Sequence, residues 1–465
     1  MKLLKFIYTT LAIGALTIVV SSCSKDFLEP TVALSKDLAT NVNTVDDLDG
    51  LALGAYNLMS QSGFYGRDVV VHATARSDDG FSNGNSGRFV TSANFNYQAT
   101  DGDPLAIWRD GYEVIANANV IIGAEIPDTG DGAIDHIKGE AYAIRAISHM
   151  EILKYYGQMY TGGTLGIPYV KEYLGDLEPA RNTIAEVWTE IEADLNMARS
   201  LMSESRNAGP VRFTTYGVAA IQSRYYLYAQ NWTAAIAAAN YVIGSGEYSL
   251  ASDAASVASQ FAGSGGNTSM LELAFNTADN PGINGINYII NSANYGDVVA
   301  TADLYNLFEA TDYRAALYDE DVYADGWRRC VGKYPSPSWD DNVRVSRYAE
   351  VVLNLAEAQV RDGQAGPAAT TLNLITAANN ATAYGATVTI DDVLLEKRKE
   401  LAFEGFRFHD LMRNGLPITY QPEHTFTGTA GTPGSDMTIG DSRLAFPVPE
   451  SELNANSNMV QNDGY

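Results

Sequence analysis

The reactive side chains of this 465-residue chain divide into those that move protons or hold metals and those that grip a ligand by its surface. Its 56 carboxylates contain pairs at any separation a glycosidase uses, so pairing alone selects nothing. The five histidines are His72, His136, His149, His409 and His424, and none has a metal-ligand spacing to another His or Cys. His149 and His409 fall on helical faces that read as packed. No GxSxG, P-loop or GxGxxG sequence stands between a strand and a helix. Asp101-Gly102-Asp103 and the run Asp128 to Asp135 hint at calcium, but neither keeps the EF-hand pattern with its terminal Glu. The expectation is no enzyme and no cofactor, with structural calcium left unsupported.

Surface grip is better represented. Tyrosine is abundant, 28 copies against 15 Phe and 5 Trp, and its ring covers apolar C–H faces while its hydroxyl still hydrogen-bonds. A sugar site needs such rings flanked by Asn, Asp, Arg or Gln that bridge hydroxyls. Two stretches meet that description, Arg76 to Tyr97 and Pro281 to Tyr295. From the first, Arg76, Asp78, Asp79, Phe81, Asn83 and Phe89 are the expected contacts; from the second, Asn287, Tyr288 and Tyr295. Trp327 joins them, and Trp339 is a further ring of the same kind.

Those residues sit in a chain that is 46% hydrophobic and 18% charged, enough for a large core and no match for disorder. Lys2 and Lys5 precede an apolar run from Phe6 to Val20 that ends in Ser21-Ser22-Cys23, the order of a signal peptide over residues 1–22. It is too short for a comfortable membrane span. Small residues directly before Cys23 resemble a bacterial lipobox, in which Cys23 carries the lipid and begins the mature protein. Several acyl chains, at about 0.8 kcal/mol per buried methylene, would anchor it. Cys330 then has no partner, so no internal disulfide is expected. Removing the leader takes the formal net charge from −26 to about −28, which disfavours nucleic acid and anionic headgroups.

The positioning elements are helices. Thr44 to Met59 carries Leu48, Leu51, Ala55 and Leu58 on one side, and helical pattern returns at Trp108, Tyr112, Ile115 and Ile122. Between them, residues 60–104 read as a long irregular segment, a kind that is more often functional than incidental. Lys138 to Tyr156 and Thr183 to Met202 form a second pair. Thr215 to Gly244 has a small-residue helix, a turn at Gln230-Asn231, then Trp232 and alanines four apart, and Arg347 to Asn379 repeats that shape. This is tetratricopeptide spacing, and the expected fold is all-α with about four such helix pairs interrupted by long irregular insertions. Leu394 to Arg413 reads as one further helix, with Leu394, Leu401, Phe408 and Leu411 as its apolar stripe and an N-cap at Asp391 or Asp392. Glu404, Arg407, Asp410 and Arg413 alternate in sign at i, i+3, the pattern of a docked or solvated structural face.

That last stretch, LLEKRKELAFEGFRFHDLMR, resembles the "ER..ELAFEG.R..DL.R" signature of the SusD/RagB family through Glu400, Leu401, Phe403, Glu404, Gly405, Arg407, Asp410, Leu411 and Arg413. The usual "ER" is stretched by one residue into Glu396-Lys397-Arg398. Phe27 to Pro30, FLEP, resembles the family's mature start. The ending resembles "PIP..EL..NP.L.QN.GY" through Pro447, Pro449, Glu452, Leu453, Asn454, Gln461, Asn462, Gly464 and Tyr465, with Asn454-Ala455 where "NP" is usual. The resemblance implies a glycan-binding domain over residues 23–465, anchored by lipid at the outer membrane and exposed at the cell surface. It implies an oligosaccharide or polysaccharide ligand and a SusC-like TonB-dependent transporter as partner. It also implies a binding site on loops between the second helix and the repeat core, plus the later insertion. Two other readings fit the residues: a tetratricopeptide lipoprotein that binds protein partners, and a surface glycoside hydrolase.

Overall fold

The computed structural model describes residues 42–173, 177–291, 294–319, 326–427 and 436–465. The leader, Cys23 and the FLEP segment lie outside them, and within them no helix is long and apolar enough to cross a membrane. The unit Asn43–Tyr465 is built on four antiparallel helix pairs.

Helix α1 (Val45–Met59) begins at Thr44, whose side chain accepts the Asp47 amide, and buries Leu48, Ala52, Ala55 and Met59. Residues 60–104 are more ordered than their composition suggests, containing the fully buried α2 (Asp68–Ala75) and a short strand β1 (Gly80–Ser82). Helix α3 (Gly102–Gly123) packs on α1 and on α4 (Ala133–Tyr156). Covered by α3 on one side and α5 (Ile184–Leu201) on the other, α4 buries nearly its whole length. Helix α5 opens with a reciprocal Thr183–Glu186 cap.

The third pair, α6 (Thr215–Tyr228) with α7 (Trp232–Gly244), and the fourth, α8 (Tyr348–Arg361) with α9 (Ala365–Ala378), stack through α7 and α8. The alanines make this close approach possible. Ala219, Ala220 and Ala239 meet Val351 and Leu355, while Ala356, Ala368 and Ala369 surround Leu353, Leu372 and Ile375. The four pairs are those expected from the spacing.

Two short antiparallel sheets, absent from the sequence reading, tie the insertions down. β2 (Ser269–Leu273) pairs with β4 (Val343–Arg347) through an irregular register, closing the large insertion at its base. β1 pairs with β3 (Val298–Ala300), Gly80 opposite Ala300 and Ser82 opposite Val298. Residues more than 200 positions apart in the chain therefore share one edge.

The expected single helix from Leu394 to Arg413 is two. Helix α10 (Ile390–Leu401) is capped by Thr389, whose side chain accepts the Asp392 amide, so the N-cap precedes the Asp391 or Asp392 proposed above. The chain then turns through Phe403 (φ 63°) and Gly405 (φ 84°) before α11 (Arg407–Arg413). Gly405 is required twice over. Its φ is left-handed, and a Cβ there would sit 3.2 Å from the Val70 Cα of α2. Leu394, Leu401, Phe408 and Leu411 are all buried as expected, but across a break.

The charge ladder is rebuilt by the same break. Only Asp410–Arg413 (2.6 Å) survives as an i, i+3 pair. Glu404 instead receives Lys333 at 2.5 Å and Arg347 at 2.7 Å, Arg407 holds Asp78 at 2.7 Å, and Arg413 reaches Glu357 at 2.5 Å. Burial opposes ionisation of Glu404, yet the two cations outweigh it and hold the carboxyl down at about 2. These pairs clamp α11 and the turn before it onto α8, onto the end of the large insertion and onto the segment leading into β1.

Candidate ligand-binding surface

The stretch from Arg76 to Phe89 starts at the end of α2, and the fold draws most of it inward. Arg76 is fully buried in a box of rings, 4.1 Å from the Phe408 centroid and 4.7 Å from that of Phe446, with Phe95, Tyr97 and Tyr155 within 5.9 Å. Its Nη2 donates to the Leu444 carbonyl at 2.6 Å. Asp78 takes two hydrogen bonds of 2.7 Å from Arg407, and Asp79 takes one of 2.6 Å from Arg398. Phe81 is buried edge-on against Trp327, with ring centroids 5.1 Å apart. Phe89 has a left-handed backbone (φ 59°) and is buried beside His72.

Asn287 is buried as well. Its amide nitrogen donates to the Tyr334 carbonyl and to Asp341, each at 2.6 Å, while its oxygen accepts from Asn294 at 3.0 Å. Burial pushes Asp341 up to about 6. The structure thus corrects the expectation for Arg76, Asp78, Asp79, Phe81, Phe89 and Asn287, which are scaffold and offer no surface to a ligand. All six are turned inward. Phe81 and Phe89 pack as core rings, and Arg76, Asp78, Asp79 and Asn287 each spend at least one polar atom on a partner inside the fold.

The remaining expected residues reach the surface. Tyr288, Tyr295 and Trp339 form one aromatic patch, with Tyr288 4.8 Å from Tyr295 and 5.1 Å from Trp339, both edge-on. Trp339 is 37% exposed and donates its indole N–H to Asn294 at 3.2 Å. Among the described residues, the hydroxyls of Tyr288 and Tyr295 have no protein partner, which leaves both open to a ligand. The short helix Ile286–Ile290 carries Tyr288, anchored from below by Asn287.

The β1–β3 pairing brings the early loop alongside. Asn83 donates to the Gly296 carbonyl at 2.9 Å and Asn85 to the Tyr295 carbonyl at 3.2 Å. Arg88 lies 5.3 Å over the Tyr295 ring and binds the Ile283 carbonyl at 2.9 Å. Asn83 is therefore at the rim with its amide committed to holding the loop. Trp327 is half-buried, set against Phe81 and outside the Tyr288 patch.

Sequence reasoning missed the turn beside the patch. Pro281-Gly282 turns the chain so that Ile283 is 46% exposed, and Pro281 lines a polar cleft of about 230 Å³. Ser62, Gln61, Phe275, Asp279 and Asn284 line that cleft. The Pro-Gly pair was the available signal, since it marks a turn that projects the next side chain.

Chemically, the surface offers ring edges and faces and two phenols without a partner among the described residues, which is equipment to hold a hydroxylated ring. Of the histidines, His149 and His409 are buried in ring packing. Among the described residues, no group of three His, Cys, Asp or Glu could hold a metal ion. Asp128 and Asp131, from the run that hinted at calcium, accept the Gly130 and Ala133 amides as turn and helix caps.

Known proteins share this fold. A model described as "SusD family" matches residues 331–465, and one described as "Starch-binding associating with outer membrane" matches residues 26–227. Starch-binding protein SusD of Bacteroides thetaiotaomicron is 33% identical over 155 residues, which is 33% of this chain and 26% of that protein. The matched segment thus spans about a quarter of the relative's length. A SusD superfamily crystal structure from Bacteroides thetaiotaomicron superposes with TM-score 0.83 at 26% identity, covering 90% of this chain and 99% of the other. A second, from Bacteroides vulgatus, gives 0.83 at 27%, covering 91% and 99%. The closing-helix turn seated on α2, the four helix pairs and these matches lead to one assignment: the chain belongs to the SusD/RagB family.

Proposed function

We propose that this protein captures an oligosaccharide or polysaccharide on the Tyr288–Tyr295–Trp339 patch and passes it, uncleaved, to a SusC-like TonB-dependent transporter in the outer membrane. The observation that carries the reading is three clustered rings reaching the surface, two of them with phenols that have no partner among the described residues. Rings present apolar faces to sugar C–H groups while the Tyr288 and Tyr295 phenols bridge hydroxyls. Carbohydrate binding also accords with what the names of its relatives state of them, and outer-membrane association with the description of the matching model. Lipid at Cys23 would provide the anchor.

Retention in native gels containing starch, xylan, mannan or polygalacturonate tests the binding. Wild type is expected to be slowed by one or more of these, and Tyr288→Ala and Trp339→Ala each to weaken that retention roughly tenfold, about 1.4 kcal/mol. Unchanged mobility in both variants would remove the patch. Sugar release from the same polysaccharides would replace capture by hydrolysis. Retention by none of them, with an envelope assembly complex co-purifying, would favour a protein-binding role. Cys23→Ala should move the protein from the membrane fraction to the soluble one, and the transporter should co-purify with wild type.

A further inference from the structure

A second cleft of about 610 Å³ lies away from the patch and shares none of its residues. It opens between residues 204–216, at the start of α6, and residues 247–267, beyond the end of α7. Tyr216 and Tyr248 line it with their rings edge-on, centroids 5.9 Å apart. Tyr241 stands behind Tyr216 at 5.2 Å and donates its hydroxyl to Glu204. All three rings rest on the small-residue core of α6 and α7, which fixes them without an induced movement. Glu247, exposed in the same cleft, has no side-chain partner among the described residues. Asn267 spends its N–H on Ser249 at 2.9 Å and keeps its carbonyl oxygen open.

The chemistry of this lining is restrictive. Paired rings suit the C–H face of a saccharide, and carboxylates with an amide oxygen accept its hydroxyl protons. No Lys or Arg lines the cleft, and two carboxylates do, so a uronic acid or sulfated sugar would be repelled. We propose that this cleft is a second saccharide site, selective for neutral rings, so that one molecule grips a polysaccharide at two points. The ligand class rests on the carbohydrate reading given above; the residues are independent of it. Two grips on one chain raise retention of a long polymer far more than of a short oligomer, because the second contact becomes intramolecular.

The test is isothermal titration with maltoheptaose, xylohexaose and mannohexaose, paired with gels of the corresponding polysaccharides. Three proteins are compared: wild type, Glu247→Lys, and Tyr216→Ala/Tyr248→Ala. Expected are two molecules of one such oligosaccharide per wild-type protein and one per variant, with retention by the polymer reduced roughly tenfold. Glu247→Lys changes an exposed, unpaired side chain, so its melting temperature should match wild type and a binding loss cannot be ascribed to misfolding. A stoichiometry of one, abolished by Tyr288→Ala/Trp339→Ala and indifferent to Glu247→Lys, would overturn the second site and leave the first standing. Wild type that binds none of the neutral probes also overturns it, and the patch then falls too only if polygalacturonate is likewise not retained.

Discussion

Two stretches of this chain look alike as sequence and end in opposite places. Arg76 to Tyr97 and Pro281 to Tyr295 both interleave rings with amides, the first with charges as well, yet the first is largely interior and the second carries the surface patch. The difference is made by what each meets. The first follows α2 directly, where Phe95, Tyr97, Phe408 and Phe446 enclose Arg76, and Arg398 and Arg407 close on Asp79 and Asp78. The second has one buried anchor, Asn287, and its rings ride above it. Aromatic and polar composition therefore marks where a loop is built well, and burial decides whether that building serves the core or a ligand.

The comparison breaks most visibly at the interior stretch. Arg398→Ala leaves Asp79 buried without its cation and should cost roughly 3–5 kcal/mol. Phe81→Ala opens a cavity beneath Trp327 and should cost a similar 3–5 kcal/mol. Both should lower the denaturant midpoint while the folded protein keeps its glycan retention. Loss of binding with unchanged stability would return Phe81 to the ligand surface.

Acid tests the same clamp. Glu404 titrates at about 2 in the folded protein against an ordinary 4.5. A depressed folded pKa contributes stability above 4.5 that is lost as pH falls through 2, at most roughly 3 kcal/mol from this group. Melting temperature should fall over that window, and Glu404→Gln, already destabilised, should flatten the slope. An equal slope in the variant would mean that other carboxylates carry the acid sensitivity.

At the surface stretch the signs reverse. Tyr288→Ala and Trp339→Ala should weaken retention roughly tenfold with little change in melting temperature, since half-exposed rings contribute less to the core. Smallest is Arg88→Gln, which removes a cation over Tyr295 and a bond to the Ile283 carbonyl. It should cost about 0.5–1 kcal/mol in binding or stability, read as a small shift in gel retention. A loss as large as that of Tyr288→Ala would make Arg88 a direct ligand contact.

Much of the fold was legible before any coordinates. Ala235 and Ala239 four apart after Trp232, and Ala368 with Leu372 at the same spacing, announce helix pairs because close packing needs small residues at helical period. The break at Phe403–Gly405 was not legible in the same way. A helical stripe reads identically whether the helix continues or turns, and only the approach of Gly405 to Val70 requires the turn. The two small sheets were invisible for a related reason. Three-residue strands such as Gly80–Ser82 and Val298–Ala300 have no periodicity of their own and exist only because each finds the other.

By itself, the order of residues determined the helix pairs, the acidic balance and the family, since these rest on local spacing and on motifs contiguous in the chain. Which aromatic residues face a ligand was decided only by tertiary structure. Burial is a property of neighbours distant in sequence: Arg76 is interior because Phe408 and Phe446 come to it, and Tyr288 stays partly exposed because Tyr295 and Trp339 meet it edge-on.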